Sequence, residues 1–341
     1  MTHQNQRRQT SLILEHSKPR SRMVEGETRV VALGGGHGLA ANLRALRHVA
    51  HDITAVVTVA DNGGSSGRIR KELPILPPGD LRMALSALCE DSDWGIVWRD
   101  VVQHRFESDG ELNGHALGNL LIAALWQMFG DPIQALDHVG ALLGVRGRVL
   151  PMALEPLDIE ATVTDRTGTS RMVRGQAEVA SLEGHVDELR LIPSAPEVPT
   201  EVLEAIAQAD WIILGPGSWF SSVLPHLLIP EIVEAIRSSK AKRLITMNLT
   251  SDPTETEGMT STDHLQVLMD TAPDLGIDAI VADPTMLDDS LELVEFAQQH
   301  GISSILRQVS VGRGIPVHDP VRLAAAYRDV FDGVIADVRE D

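Results

Sequence analysis

Gly34-Gly35-Gly36-His37-Gly38 places four glycines in five positions directly after the apolar run Val30-Val31-Ala32-Leu33. Glycine lets a chain turn sharply and brings backbone N–H groups up to an anion, and a helix starting there adds its favourable dipole. Such a loop suits the phosphates of a nucleotide-linked ligand, with Gly35, Gly36, His37 and Gly38 as the candidate contacts; the alternative is a tight strand–helix turn. The loop is not the dinucleotide fingerprint, because the third glycine would fall at Leu39, and no Gly-Lys-Ser/Thr follows to make a P-loop. A second loop holds Asp61, Asn62, Gly63, Gly64, Ser65, Ser66 and Gly67, followed by Arg68, Arg70 and Lys71. Short polar side chains, exposed amides and guanidinium groups suit a phosphate or a metal–phosphate pair. Asp61 is the candidate catalytic carboxylate and the candidate metal ligand there. The alternative is a solvated Gly/Ser loop. Gly215-Pro216-Gly217-Ser218 is a third loop of this kind, and Asn248 closes the strand after it. His115 and Asn119 are four apart, which puts them on one face of a helix. Asp80, after Pro77-Pro78-Gly79, reads as the cap of a helix start. Metal-ligand spacings of the His-Glu-x-x-His or Cys-x-x-Cys kind are absent from the sequence.

These loops need rigid elements to aim them. Arg29 to Leu33 reads as a strand, Leu39, Leu43, Leu46 and Ala50 form a helical stripe, and Ile53 to Ala60 is a second β-rich run. Strand, loop, helix and strand within about 30 residues make a βαβ unit, whose crossover is right-handed and whose sheet is parallel. Residues 80–145 read as mainly helical, over Leu81 to Leu88, Leu117 to Phe129 and Pro132 to Leu143. Short β-like segments and the turn Asp165-Arg166-Thr167-Gly168 mark 149–192 as a β-hairpin-rich insertion. A helix over Glu201 to Ala209 and strands at Trp211 to Leu214, Leu244 to Asn248, Ala279 to Ala282 and Ser304 to Leu306 then restore the rhythm. The expected fold is α/β: a Rossmann-like, doubly wound, mostly parallel sheet, with its ligand beyond the C-terminal ends of the strands. Residues 28–337 are expected to form one domain after a flexible polar extension over 1–27.

The bulk properties bound the partners. With 29 basic and 48 acidic side chains the net charge is −19, against broad binding of nucleic acid, although one phosphorylated small molecule fits a local basic pocket. The single cysteine, Cys89, excludes an internal disulfide and fits a reducing, cytoplasmic setting. No run approaches the roughly 20 apolar residues that span a bilayer. Arg7-Arg8 is followed by too short an apolar stretch, Leu12-Ile13-Leu14, to make a secretion signal.

Taken in order, Gly-Gly-Gly-His-Gly-Leu, Ala-Asp-Asn-Gly-Gly-Ser-Ser-Gly-Arg, Pro-Pro-Gly-Asp-Leu-Arg, Gly-His-x-x-Gly-Asn and Gly-Pro-Gly-Ser-x-x-x-Ser resemble the bacterial gluconeogenesis-factor family known as YvcK, relatives of the phospholactate transferase CofD. The resemblance spans roughly residues 28–335. It implies a pocket for UDP-sugars, UDP-N-acetylglucosamine in particular, and a regulatory role in gluconeogenic growth and in cell shape or wall-precursor metabolism; it also implies a homodimer. The enzyme relatives transfer a phospholactyl group with Mg²⁺, which makes a transferase the alternative. Carried over, Gly35, Gly36 and Gly38 line the nucleotide phosphates, and Ser65, Ser66 and Arg68 form the polar loop beside them. His115 and Asn119 match the Gly-His-x-x-Gly-Asn helix, and Gly215, Gly217 and Ser218 the second nucleotide-side loop. Asp61 and Asn62 match paired acids. Asn62 replaces the second of these, and an amide is neither a base nor a strong Mg²⁺ ligand.

Overall fold

In the computed structural model, residues 28–165, 167–181, 184–250, 255–256 and 258–333 are described. The extension expected over 1–27 and residues 334–337 of the expected domain lie outside them. Strands β1 (Arg29–Gly34), β2 (Asp52–Val57) and β3 (Arg148–Pro151) alternate with helices α1 (Gly36–Leu46), α2 (Gly64–Glu72), α3 (Pro78–Leu88), α4 (Asp93–Gln103), α5 (Leu117–Phe129) and α6 (Pro132–Leu143). An antiparallel layer follows: β4 (Asp158–Thr164), β5 (Ser170–Arg174), the short helix α7 (Gln176–Ala180) and β6 (His185–Ile192). Then come α8 (Thr200–Gln208), β7 (Trp211–Leu214), α9 (Pro230–Ser238), β8 (Lys242–Thr246), α10 (Ser261–Thr271), β9 (Ala279–Ala282), α11 (Ser290–Gln299) and β10 (Ser303–Leu306). A hairpin, β11 (Ser310–Gly312) and β12 (Ile315–His318), and helix α12 (Pro320–Phe331) complete the described chain.

Seven strands form one sheet in the order β10-β9-β8-β7-β1-β2-β3, and every neighbouring pair is parallel. Helices cover both faces of such a sheet, so its strands are continuous apolar runs rather than alternating ones. β7 and β9 are buried at all four positions. From β1 the chain winds outward through β2 to β3, then returns to β7 on the other side of β1 and winds outward again. The order therefore reverses between β1 and β7, and ligands of open α/β sheets bind beyond the strand ends at such a reversal. Among the described residues no single helix is long and apolar enough to cross a membrane.

Two elements differ from the sequence reading. The run at 149–152 belongs to the main sheet, where β3 pairs parallel with β2, so the antiparallel layer begins only at Asp158. Val149, Leu150 and Met152 are all fully buried, the signature of a parallel strand. The stretch at 61–67 is a loop only as far as Gly63, because helix α2 starts at Gly64. Its first turn, Gly64-Ser65-Ser66-Gly67, lacks an apolar stripe, and the periodicity that reveals helices was missing there.

Candidate functional site

Both loops after β1 and β2 deliver the N-terminus of a helix to the same edge of the sheet. The N-cap positions of α1 and α2 are Gly35 and Gly63, and neither supplies a side-chain cap. The first-turn N–H groups of both helices thus lack a side-chain partner from the cap residue, and such groups with their dipole form an anion seat. Gly36, at φ +57°, turns the chain in a left-handed conformation that disfavours other residues. The third loop closes against the first: a Cβ on Gly38 would lie 2.2 Å from the Pro216 carbonyl oxygen and 2.5 Å from Gly217 Cα. Asn248 braces that loop with two bonds, accepting from the Gly217 N–H at 2.9 Å and donating to the Gly217 carbonyl at 2.8 Å. Asn42, on α1, donates to the Gly215 carbonyl at 2.8 Å, and Ser218 Oγ lies 2.5 Å from Ser221 Oγ.

Beside these loops lies a cavity of about 200 Å³, lined among others by Asp61, Gly64, Ser65, Asp80, Arg82, Arg105 and Asn119. A buried chain of bonds sets its wall. Arg82 Nε donates to Asn119 Oδ1 at 2.9 Å, and Asn119 Nδ2 donates to Ser65 Oγ at 3.0 Å. Arginine is a donor only, so this order fixes which way the Asn119 amide points. Ser65 Oγ also meets His115 Nδ1 at 2.9 Å. Burial, and next the nearby Arg68 charge, lower the His115 pKa, which favours the neutral imidazole. Ser65 can then give its proton to Nδ1, or accept from Nδ1 and turn its own proton into the cavity. His115 is not on the helix expected for it: α5 starts at Leu117, and His115 approaches Ser65 from the preceding turn.

Asp80 is not the cap that the sequence suggests. The N-cap of α3 is Pro77, and Asp80 is the third helical residue. Its side chain reaches back under the first loop, where Oδ2 would lie 2.6 Å from a Cβ on Gly35. Asp61 faces the same space, with Oδ1 accepting from the Gly63 N–H at 2.8 Å and Oδ2 near Gly79. Burial, and next the Asp61 charge, raise the Asp80 pKa to about 7, against the opposing pull of the Gly36 N–H and Arg82. Among the described residues, Asp80 Oδ2 is buried without a hydrogen-bond partner.

This chain is matched over residues 30–309 by the family model of the 2-phospho-L-lactate transferase CofD. It belongs to the CofD family. A gluconeogenesis factor of Bacillus subtilis is 41% identical over 240 residues, 70% of this chain and 74% of the relative. A Mycobacterium tuberculosis protein with a gluconeogenesis-factor name is 45% identical over 312 residues, 90% of each chain. The crystal structure of a UPF0052-family protein from Bacillus halodurans superposes with a TM-score of 0.79 at 35% identity, covering 89% of this chain and 99% of that one.

Of the expected site residues, Asn62 and Arg68 bond to other parts of the chain, while His37 stands at the α1 N-terminus itself. Asn62 turns away from Asp61 toward the antiparallel layer: Nδ2 donates to Glu178 Oε2 at 2.7 Å, and Oδ1 accepts from the Ala177 N–H at 2.9 Å. Arg68 is spent on the Asn113 and Glu111 carbonyls at 2.6 and 3.2 Å, and His37 is exposed on the first turn of α1. Ser66 Oγ accepts from the Gly79 N–H at 3.0 Å, which ties α2 to α3. Asn62→Asp removes a donor and sets a carboxylate against Glu178. We expect a loss of about 1–2 kcal/mol in urea denaturation, recovered when Glu178→Gln is added. A full-strength single variant would show that this bond contributes nothing.

Sequence reading missed Asp80, Arg82 and Arg105 as cavity residues. Asp80 was masked by the helix start itself, because a carboxylate in a first helical turn is accounted for by the dipole alone.

Proposed function

We propose that the crevice between β1 and β7 binds a nucleotide-sugar of the UDP-N-acetylglucosamine type. In this reading the protein is a cytoplasmic, homodimeric regulatory factor needed for gluconeogenic growth and for cell shape and wall-precursor metabolism. The observation behind binding is the meeting of two helix N-termini without side-chain caps and a third glycine loop at the point where the strand order reverses. Uridine and the amino sugar come from the family resemblance. Calorimetry with UDP-N-acetylglucosamine is expected to give a dissociation constant below millimolar; no heat at millimolar ligand sinks the reading.

A second reading, a Mg²⁺-dependent transferase of the 2-phospho-L-lactate type, is favoured by Asp80. In this reading Asp80 takes the part of the second acid absent at position 62, and its support is that Asp61 and Asp80 line one cavity. Two carboxylates suit Mg²⁺, which keeps its waters and shares substrate phosphates; the unpartnered Asp80 Oδ2 fits such a role. Among the described residues no group of three or more His, Cys, Asp or Glu is placed to hold a metal. Asp61 and Asp80 would hold the ion, which would neutralise the donor's phosphates; the chain's own part is to seat those phosphates on the α1 and α2 N-termini. Incubation with the deazaflavin precursor Fo and nucleotide-activated phospholactate tests it: product should form and vanish in Asp61→Ala.

A further inference from the structure

The residues Gly63-Gly64-Ser65-Ser66-Gly67 run Gly-x-Ser-x-Gly between strand β2 and helix α2. That spacing on a strand–turn–helix presents a serine hydroxyl for nucleophilic attack at the end of a sheet. Two of the glycines are structurally required. Gly64 sits at φ +45°, and a Cβ on Gly67 would collide with the Asn62 carbonyl. Ser65 lines the cavity of about 200 Å³, and its hydrogen bonds there are asymmetric. A serine hydroxyl has one proton to give and two lone pairs to accept with. Asn119 Nδ2 fills one lone pair at 3.0 Å, and Arg82 orients that amide by donating to Asn119 Oδ1 at 2.9 Å. His115 Nδ1, 2.9 Å away, takes the serine proton when the imidazole is neutral, the form that its burial favours. The second lone pair is then left for the cavity. His115 is itself held by its backbone: its N–H donates to the Leu112 carbonyl and its carbonyl accepts from the Phe106 N–H, both at 3.0 Å. A hydroxyl within hydrogen-bond reach of a positioned imidazole is the arrangement of an activated nucleophile.

We propose that Ser65, activated by His115, is the nucleophile of a double displacement that carries the donor's phospholactyl group on Ser65 before it reaches the acceptor. The inference rests on the transferase reading above and adds a covalent intermediate to it. In the first step Ser65 Oγ bonds to the phosphorus that bears the lactyl group. The anhydride P–O bond breaks, its electron pair leaves with the nucleoside monophosphate, and the serine proton passes to His115 Nδ1. In the second step the acceptor's hydroxyl oxygen bonds to the same phosphorus and the Oγ–P bond breaks. Ser65 recovers a proton from His115, and the acceptor's proton is released through the same imidazole. Asn119, donating to Oγ throughout, stabilises the negative charge that develops on it in both steps.

A small alkyl fluorophosphonate tests the serine without any natural donor: the Oγ–P bond forms, the P–F bond breaks and the proton goes to His115. Peptide mass spectrometry of the treated full-length protein is expected to find the phosphonyl group on Ser65. Ser66, whose Oγ accepts from the Gly79 N–H, should stay unmodified. The rate should fall roughly 100-fold or more in His115→Gln, with its melting temperature read alongside. Nucleotide-activated phospholactate given without Fo should release a burst of nucleoside monophosphate equal to the protein and leave a phospholactyl group on Ser65. If the fluorophosphonate leaves Ser65 untouched, or labels it equally fast in the native protein and a folded His115→Gln, the proposal is overturned. If it labels Ser65 but the phospholactate donor does not react, the activated serine stands and the transferase reading fails. If donor and Fo turn over at the native rate in Ser65→Ala, the transfer is direct, so the covalent step is overturned and the transferase reading stands.

Discussion

Gly38→Ala is expected to abolish nucleotide-sugar binding and to destabilise the protein by about 3 kcal/mol or more. The new Cβ would lie 2.2 Å from Pro216 O, 2.5 Å from Gly217 Cα and 2.6 Å from Pro216 C. All three are backbone atoms, so no flexible side chain can yield. Nor is the third loop free to retreat: Asn248 holds Gly217 by both its N–H and its carbonyl, and Asn42 holds Gly215. The two glycine loops must separate, and the seat they share opens with them. A loss of 3 kcal/mol transferred to binding is roughly 150-fold, so a micromolar ligand would fall out of calorimetric range. Gly36→Ala is the control. Nothing lies within 4 Å of its Cβ position, so only the left-handed backbone at φ +57° is strained, at about 1–2 kcal/mol. Urea denaturation of both variants, with calorimetry below their melting points, separates the two. Binding by Gly38→Ala within threefold of the native protein would refute close approach as the basis of the site.

The contrast between these glycines shows what a sequence can and cannot disclose. That residues 34–38 and 61–67 end neighbouring strands was legible, because each follows a run of β-branched residues and precedes a new element. The parallel sheet was legible for the same reason, and strands at 211–214 and 279–282 begin and end where their apolar runs do. The partners across the fold were not. Nothing local to Gly38 marks Pro216 as its neighbour, 178 positions away. Asn62 carries the residue type of a ligand contact, yet a short helix in the antiparallel layer claims both ends of its amide. His115 and Asn119 do meet, but on Ser65 rather than on one helix face, because the helix begins two residues after His115. Asp80 was hidden by a local rule that explained it sufficiently. A carboxylate in the first turn of a helix needs no further account until a second carboxylate, Asp61, is found beside it.

That pairing gives the second large effect. Asp80→Asn is expected to stabilise the protein at pH 8 by about 2 kcal/mol, and to change it little at pH 4. An aspartate of the unfolded chain titrates near 4, whereas the folded pKa is raised to about 7. Between those values the folded protein keeps a proton that the unfolded chain releases. The contribution of Asp80 to stability is therefore full below about pH 4, declines as the pH rises toward 7, and is lowest above it. A gap of that size corresponds at most to about 4 kcal/mol, and relaxation of the folded protein around the ionised carboxylate is expected to recover about half of it. Asn at position 80 carries no charge at any of these pH values, so the variant loses the decline. Asp61→Asn should do part of the same from the other side, since the Asp61 charge is the second cause of the shift after burial. Thermal melts from pH 4 to 8 report both. The same melts distinguish the two functions: if the carboxylate pair holds Mg²⁺, millimolar magnesium should raise the native melting temperature at pH 8 and leave Asp80→Asn unmoved. Equal slopes of stability against pH in the native protein and Asp80→Asn would mean that the two acids are not coupled, and the structural case for a transferase would fall with them.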